Sequence, residues 1–194
     1  MKPEAVWERR QDFLTLNPTG EVPVLVEADG TALSGSDAIC EFLDEVHPEP
    51  GLYGRHSLQR AEVRRLIYWF DRKFNIEVTQ NLVSEKIMKR FLGLGEPDSN
   101  VIRAGHANMH QHLEYISFLT DRRKWLAGDD MSLADFTAAA HLSCVDYLGD
   151  VPWTEHTAAK DWYVRVKSRP CFRTLLEDHI PGAAPAAHYA NLDF

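Results

Sequence analysis

The sequence predicts a small α/β unit followed by an all-helical domain. Three observations carry that prediction. The only strand pattern lies before residue 36, the proline-rich string His47-Pro48-Glu49-Pro50-Gly51 closes that stretch, and every later apolar segment recurs at helical spacing. We divide the chain at 1–47 for the α/β unit, 52–180 for the helical domain and 181–194 for an extended C-terminal tail rich in Pro, Gly and Ala.

Ala5 to Leu16 reads as a short helix ended by the turn Asn17-Pro18-Thr19-Gly20. The branched run Val22-Pro23-Val24-Leu25-Val26 reads as a strand, Ala28-Asp29-Gly30-Thr31 as a hairpin turn, and Thr31-Ala32-Leu33 as the returning strand. A proline in a strand calls for an edge or a special backbone, such as a cis bond. Ser36 is placed to cap a helix whose apolar side carries Ala38, Ile39, Phe42, Leu43 and Val46. Two strands do not make a stable sheet alone, since roughly three or strong helix packing are needed.

After the linker, a first long helix is expected from Ser57 to Phe91, with Leu66, Ile67, Phe70 and Phe74 on its apolar side. A second follows Gly95-Glu96-Pro97-Asp98 and carries Ile102, Met109, Leu113 and Ile116. Further helices are expected over Leu133 to Leu148, Thr157 to Ser168 and Cys171 to His179.

Composition narrows the function. A chain of 194 residues, 44% hydrophobic and 26% charged, has the make-up of an ordinary globular protein. Its 29 acidic and 21 basic side chains leave a net charge of -8, which disfavours a general nucleic-acid binder. The most apolar stretch, Phe136 to Val145, falls well short of the roughly 20 residues of a membrane span, and the charged start has no secretory h-region. Cys40, Cys144 and Cys171 are odd in number without CxxC spacing, so a cytoplasmic protein without disulfides is expected. Cys40 reads as a buried structural thiol. His106, His110 and His112 lack a metalloprotease pattern and read as surface histidines, so no metal site is expected.

Gly128-Asp129-Asp130-Met131-Ser132-Leu133-Ala134-Asp135-Phe136 is the most specific string. Ser132 and Asp135 have the spacing of a capping box, with Met131 against Phe136 as its staple. This string occurs with Asn17-Pro18-Thr19-Gly20-Glu21-Val22-Pro23-Val24-Leu25, with Leu33-Ser34-Gly35-Ser36-Asp37-Ala38-Ile39 and with the segment Trp162 to Pro170. Together, and in this order, the strings resemble the glutathione transferase family over essentially the whole chain.

That resemblance implies a thioredoxin-like lobe followed by a helical domain, with Pro23 as the family's cis-proline. Val22, Pro23 and Ser36 would then be remnants of a glutathione site, and Ser132 and Asp135 the family's structural cap. The family's lobe opens with a βαβ unit of roughly 30 residues. This sequence has no counterpart to it, so the lobe is expected to be partial and no catalytic Ser, Tyr or Cys is assigned. Where the family carries an acidic residue or Gln before the serine, this chain has Gly35. No cofactor is therefore required, and glutathione binding is expected to be weak at most.

Trp7 to Phe13, Gly35 and the Leu192-Asp193-Phe194 end further resemble family members that work in bacterial cell division. The resemblance implies a non-catalytic homodimeric adaptor that binds FtsZ filaments at the division site and is linked to septal cell-wall synthesis. Arg122, Arg123 and Lys124 are the candidate contacts to an acidic partner, because complementary charge sets specificity and on-rate. The other basic groups, Arg60, Arg64 and Arg65 and then Lys86, Lys89 and Arg90, read chiefly as solvated helix faces. Leu192, Asp193 and Phe194 are the candidate hook for a second partner. The alternative is a transferase that joins glutathione to electrophilic small molecules.

Overall fold

A computed structural model describes residues 1–192 and Phe194. It divides into two compact units, Met1–Tyr53 and Gly54–Phe194. The first is α/β and the second helical, the fold class expected from the sequence. Among the described residues, no helix is long and apolar enough to cross a membrane.

The first unit begins with a 3-10 turn, Val6–Glu8, and then helix α1, Gln11–Leu16. A single helix from Ala5 was expected. The break falls at Arg9, whose φ of 47° is left-handed and cannot continue a right-handed helix. Beyond the break, Arg10 clamps Glu4 through two hydrogen bonds of 3.1 and 2.9 Å. Strands β1, Val24–Val26, and β2, Ala32–Ser34, pair antiparallel with Leu25 opposite Leu33. The hairpin turn closes where the Thr31 N–H donates to Asp29 Oδ1 at 2.8 Å and Gly30 takes a φ of 89°. Pro23 stands just before β1 rather than inside it. Helix α2, Ser36–Val46, lies against both strands and buries Ile39.

The second unit opens with helix α3, Ser57–Tyr68, which passes without interruption into a π-helical segment, Trp69–Met88, and a last turn α4, Lys89–Leu92. The expected long helix is therefore present, with wider turns in its middle. Phe70, Phe74, Val78 and Leu82 are fully buried at strict four-residue intervals. In a regular α-helix such a stripe drifts about 40° around the axis at each step, and wider turns lessen that drift. Helix α5, Ser99–Thr120, is capped by Asp98 and packs on the π segment through Met109, His112, Leu113 and Ile116. Gly105 faces the π segment. A Cβ there would lie 2.9 Å from Leu82 side-chain atoms and 3.0 Å from Asn81 Cβ, so any larger residue would push these side chains aside.

Helices α6, Leu133–Tyr147, α7, Thr157–Lys167, and the short α8, Pro170–Arg173, complete the unit. The segment expected as one helix over Cys171 to His179 ends early and changes to a 3-10 turn at Thr174–Glu177. Ser132 and Asp135 form a capping box at the start of α6. Asp135, with no exposed surface, gathers more than the cap. Its Oδ2 accepts the Ser132 N–H at 2.9 Å and the Ser132 hydroxyl at 3.0 Å. Its Oδ1 accepts the Leu126 N–H and the Trp162 indole N–H, both at 2.9 Å.

A cap alone contributes about 1 kcal/mol. Truncating Asp135 also strands two N–H donors beyond the cap, each costing about 1–3 kcal/mol when left buried and unpaired. Asp135→Ala is therefore predicted to destabilise the protein by roughly 3–5 kcal/mol. Chemical denaturation measures it, and a loss near 1 kcal/mol would reduce Asp135 to an ordinary cap.

Candidate functional site

The residues matched to a glutathione site lie together in the first unit. The Val22–Pro23 peptide is cis, and Val22 is exposed. The Pro23 carbonyl accepts the Gly35 N–H at 3.3 Å, which ties the start of β1 to the start of α2. Ser36 was expected to cap α2. Instead Gly35 is the capping residue and Ser36 the first helical one, with no side-chain cap bond. The cause is the backbone at Gly35, whose φ of 89° and ψ of 131° are available to glycine and strained for other residues. A Cβ at Gly35 would meet nothing within 4 Å, so backbone strain, and not space, opposes a side chain here.

The basic string 122–124 lies in the loop between α5 and α6. Its three members differ sharply. Arg122 donates to the Phe118 carbonyl at 2.9 Å and lies 3.8 Å over the Phe118 ring. Arg123 is half-buried and bonds Glu62 Oε1 at 2.6 Å and the Leu126 carbonyl at 2.9 Å. Lys124 is exposed. Arg123, a candidate contact to an acidic partner, thus instead ties the loop to α3. Arg65 joins the same cluster, bonding Glu62 at 2.7 and 2.9 Å and Tyr115 Oη at 2.8 Å. Hydrogen bonding from Arg65, reinforced by Arg123, overcomes burial and holds the Glu62 carboxyl down at about 2, from 4.5.

Two cations were missed in the sequence. Arg165 and Arg169 on and just after α7 lie 4.8 and 5.5 Å over the ring of Trp125, the residue after Lys124. Both are exposed. The fold thus brings Arg165 and Arg169 to the Trp125 ring, with the exposed Lys124 next to it in sequence and Asp129 and Asp130 in the same loop. The i,i+4 spacing of Arg165 and Arg169 was the available signal. The other basic groups are largely self-paired: Lys86 meets both oxygens of Asp150 at 2.6 Å, and Lys89 meets Glu85 at 2.6 Å.

The histidines also depart from expectation. His112 is buried, not on the surface. Its Nδ1 accepts the Trp69 indole N–H at 3.0 Å, so its proton sits on Nε2 and donates to Glu77 at 3.0 Å. Burial lowers its pKa despite Glu77. His106 contacts Asp150 at 3.2 Å and His110 contacts His156 at 2.9 Å. Among the described residues, no three His, Cys, Asp or Glu side chains converge to hold a metal ion. Cys40 is half-buried and Cys144 and Cys171 are free thiols.

The C-terminal segment was expected to extend from 181. It is instead packed on the helical unit. Tyr147 Oη donates to the Ala183 carbonyl at 2.6 Å and accepts the Ile180 N–H at 3.0 Å, while the Ala186 N–H donates to the Tyr147 carbonyl at 2.8 Å. Tyr189 is buried edge-on against Tyr147. The Phe194 ring lies between Trp153 and His188, at centroid distances of 5.5 and 5.1 Å. It is not a free hook. Leu192 is half-buried, and Asp193 lies outside the described residues.

Comparison with known proteins places these features among relatives. Residues 3–46 match the model for the glutathione S-transferase N-terminal domain, and residues 86–170 the model for its C-terminal domain. The chain is 52% identical over 191 residues to FtsZ-localized protein A of Caulobacter vibrioides, covering 97% of this chain and 84% of that protein. Among solved structures, a glutathione S-transferase from Rhodospirillum rubrum F11 is 60% identical, with a TM-score of 0.95 over 98% of this chain and 86% of that one. FzlA from C. crescentus is 52% identical, with a TM-score of 0.94 over the same shares.

Two outcomes follow from this geometry. Gly35→Gln is predicted to destabilise the first unit by roughly 1–2 kcal/mol, the cost of forcing a side chain into a left-handed backbone. An unchanged thermal midpoint would mean that the backbone relaxes. The depressed Glu62 carboxyl stabilises the fold above pH 4.5, and this contribution is lost as pH falls from 4.5 through about 2. Denaturation across that range should show a shallower acid loss in Glu62→Gln than in the parent, whereas parallel curves would remove Glu62 from the acid response.

Proposed function

Because the chain belongs to the glutathione S-transferase family, we propose that it uses that scaffold as a non-catalytic adaptor on filaments of FtsZ. The observation that carries the reading is its 52% identity to FtsZ-localized protein A over 97% of its length. Fold alone would not choose a function, because one scaffold hosts many.

Two features support an adaptor over a transferase. The backbone at Gly35 disfavours the polar side chain that a glutathione site in this family would carry there. The exposed cations Arg165 and Arg169 on the Trp125 ring, and the exposed Lys124 in the adjoining loop, offer a surface suited to an acidic partner. On this reading no cofactor is required, and Val22, Pro23 and Ser36 are a vestige with weak glutathione affinity. The finer elements of the proposal are a role in division, a link to septal wall synthesis, and homodimerisation. Exposed Leu58, Tyr68 and Ile76 on α3 and the π segment supply apolar surface for a second copy. The alternative, glutathione conjugation, is favoured by the 60% identity to the Rhodospirillum rubrum glutathione S-transferase and by the cis Val22–Pro23 peptide.

Co-sedimentation with polymerised FtsZ tests the proposal. The parent should pellet with filaments, and Lys124→Glu with Arg165→Glu should weaken pelleting and its salt dependence, because exposed pairs are screened by ions. Arg123→Glu should behave differently and lower stability as well, since it breaks the bonds to Glu62 and Leu126. A parent that stays in the supernatant, or a double variant that pellets like the parent, would count against the assigned surface.

A further inference from the structure

His112 sits where α5 packs on the π segment, and the chemistry of its two nitrogens makes that joint sensitive to protons. Only 1% of its side-chain surface is exposed. Nδ1 accepts the Trp69 indole N–H at 3.0 Å, and because an indole nitrogen only donates, Nδ1 carries no proton. Nε2 holds the single proton and donates it to Glu77 Oε2 at 3.0 Å. Both partners belong to the π segment, and Trp69 is its first residue. One ring from α5 therefore grips that segment twice.

A second proton has one place to go. It must bind Nδ1, where it would meet the Trp69 N–H donor against donor, so the charged ring and the indole bond exclude each other. Burial opposes the charge as well and lowers the pKa from the ordinary 6.5, with Glu77 acting against that shift and Lys73 with it. These two charged groups face the ring from the π segment and are paired with each other. Phe74 touches His112 and also His141 of α6, which bonds Asp71 at 3.0 Å. On α5 itself, Tyr115 stacks on Trp69 and meets Arg65.

That stacking extends the reach of the bond. The Trp69 and Tyr115 rings lie 4.5 Å apart, Tyr115 Oη accepts from Arg65, and Arg65 is bonded to Glu62. Glu62 in turn accepts from Arg123, which also donates to the Leu126 carbonyl in the loop between α5 and α6. Hydrogen bonding from Arg65 holds Glu62 at about 2, and bonding from Lys73 lowers Glu77 from 4.5. Neither carboxylate therefore lets go of its partner in mild acid, where an imidazole takes up its proton.

We propose that His112 is a proton-operated catch: neutral, it holds Trp69 on α5, and protonated, it releases the indole and loosens the chain of Arg65, Glu62 and Arg123 that anchors the loop. The held state binds fewer protons than the released one, so it is favoured above pH 6.5 and lost as pH falls. The catch does not depend on the filament reading, although on that reading the loop it loosens is the one that carries Lys124.

NMR of the indole N–H signals of the full-length protein, followed from about pH 7.5 to about 4.5, tests this. The Trp69 signal, identified by its loss in Trp69→Phe, should move reversibly to the position of a free indole with a midpoint below 6.5. The Trp125 signal in the loop should move with the same midpoint. The Trp162 signal, whose N–H is bonded to Asp135, should stay in place, which separates local release from unfolding. His112→Gln puts an uncharged acceptor and donor in the ring's place and should abolish both movements. Glu77→Gln removes the carboxylate that favours the charged ring and should lower the midpoint by roughly half a pH unit. A fixed Trp69 signal, or one that moves unchanged in His112→Gln, would overturn the catch, and a midpoint unmoved or raised in Glu77→Gln would overturn its assignment to His112. Movement of Trp162 together with Trp69 would overturn local release, and a fixed Trp125 signal would overturn the link to the loop.

Discussion

The helical unit depends on one buried carboxylate. Asp135 draws together the start of α6, the loop at Leu126 and the indole of Trp162 on α7, four donors converging on two oxygens. Each donor would otherwise be buried without a partner, so the elements hold each other in position through it. The surface follows from this. Leu126 is two residues from Lys124, and Trp162 lies on the helix that carries Arg165, so the carboxylate inside sets where the cations outside stand.

Asp146, on the same helix, shows what happens when such a hub is incompletely paired. Both carboxylates accept an indole N–H, from Trp162 and from Trp153. Both oxygens of Asp135 are satisfied, whereas Asp146 keeps one oxygen whose nearest cation stands 3.6 Å away. The first arrangement locks its elements. The second reaches the C-terminal segment, where His188 Nε2 bonds the other oxygen at 2.8 Å.

Much of the fold was legible in the sequence because local signals agreed with the global outcome. The cap string, the hairpin turn, the Asp98 start of α5 and the apolar stripe through Phe70 and Phe74 each state a local preference that packing reinforces. The misreadings have a common cause. Helix breaking at Arg9, the capping role of Gly35 in place of Ser36, and the widened turns after Tyr68 are backbone outcomes set by neighbours, with no fixed residue signature. The burial of His112, the internal pairing of Arg123, the joining of Arg165 and Arg169 to the loop, and the folding back of Phe194 all depend on contacts distant in sequence. A basic triplet looks uniform on paper, yet Arg123 is half-buried and paired, Arg122 lies on the Phe118 ring and Lys124 is exposed.

The same contrast supports the proposed function. The scaffold keeps the family's cis-proline and its buried cap, but at Gly35 the backbone opposes the side chain that would meet glutathione. Partner binding by exposed cations needs none of that chemistry. Titration calorimetry of the purified protein with glutathione, run beside a conjugation assay on a standard electrophile, tests this most directly. Weak or undetectable binding without turnover is the result the adaptor account predicts, and micromolar binding with turnover would contradict it.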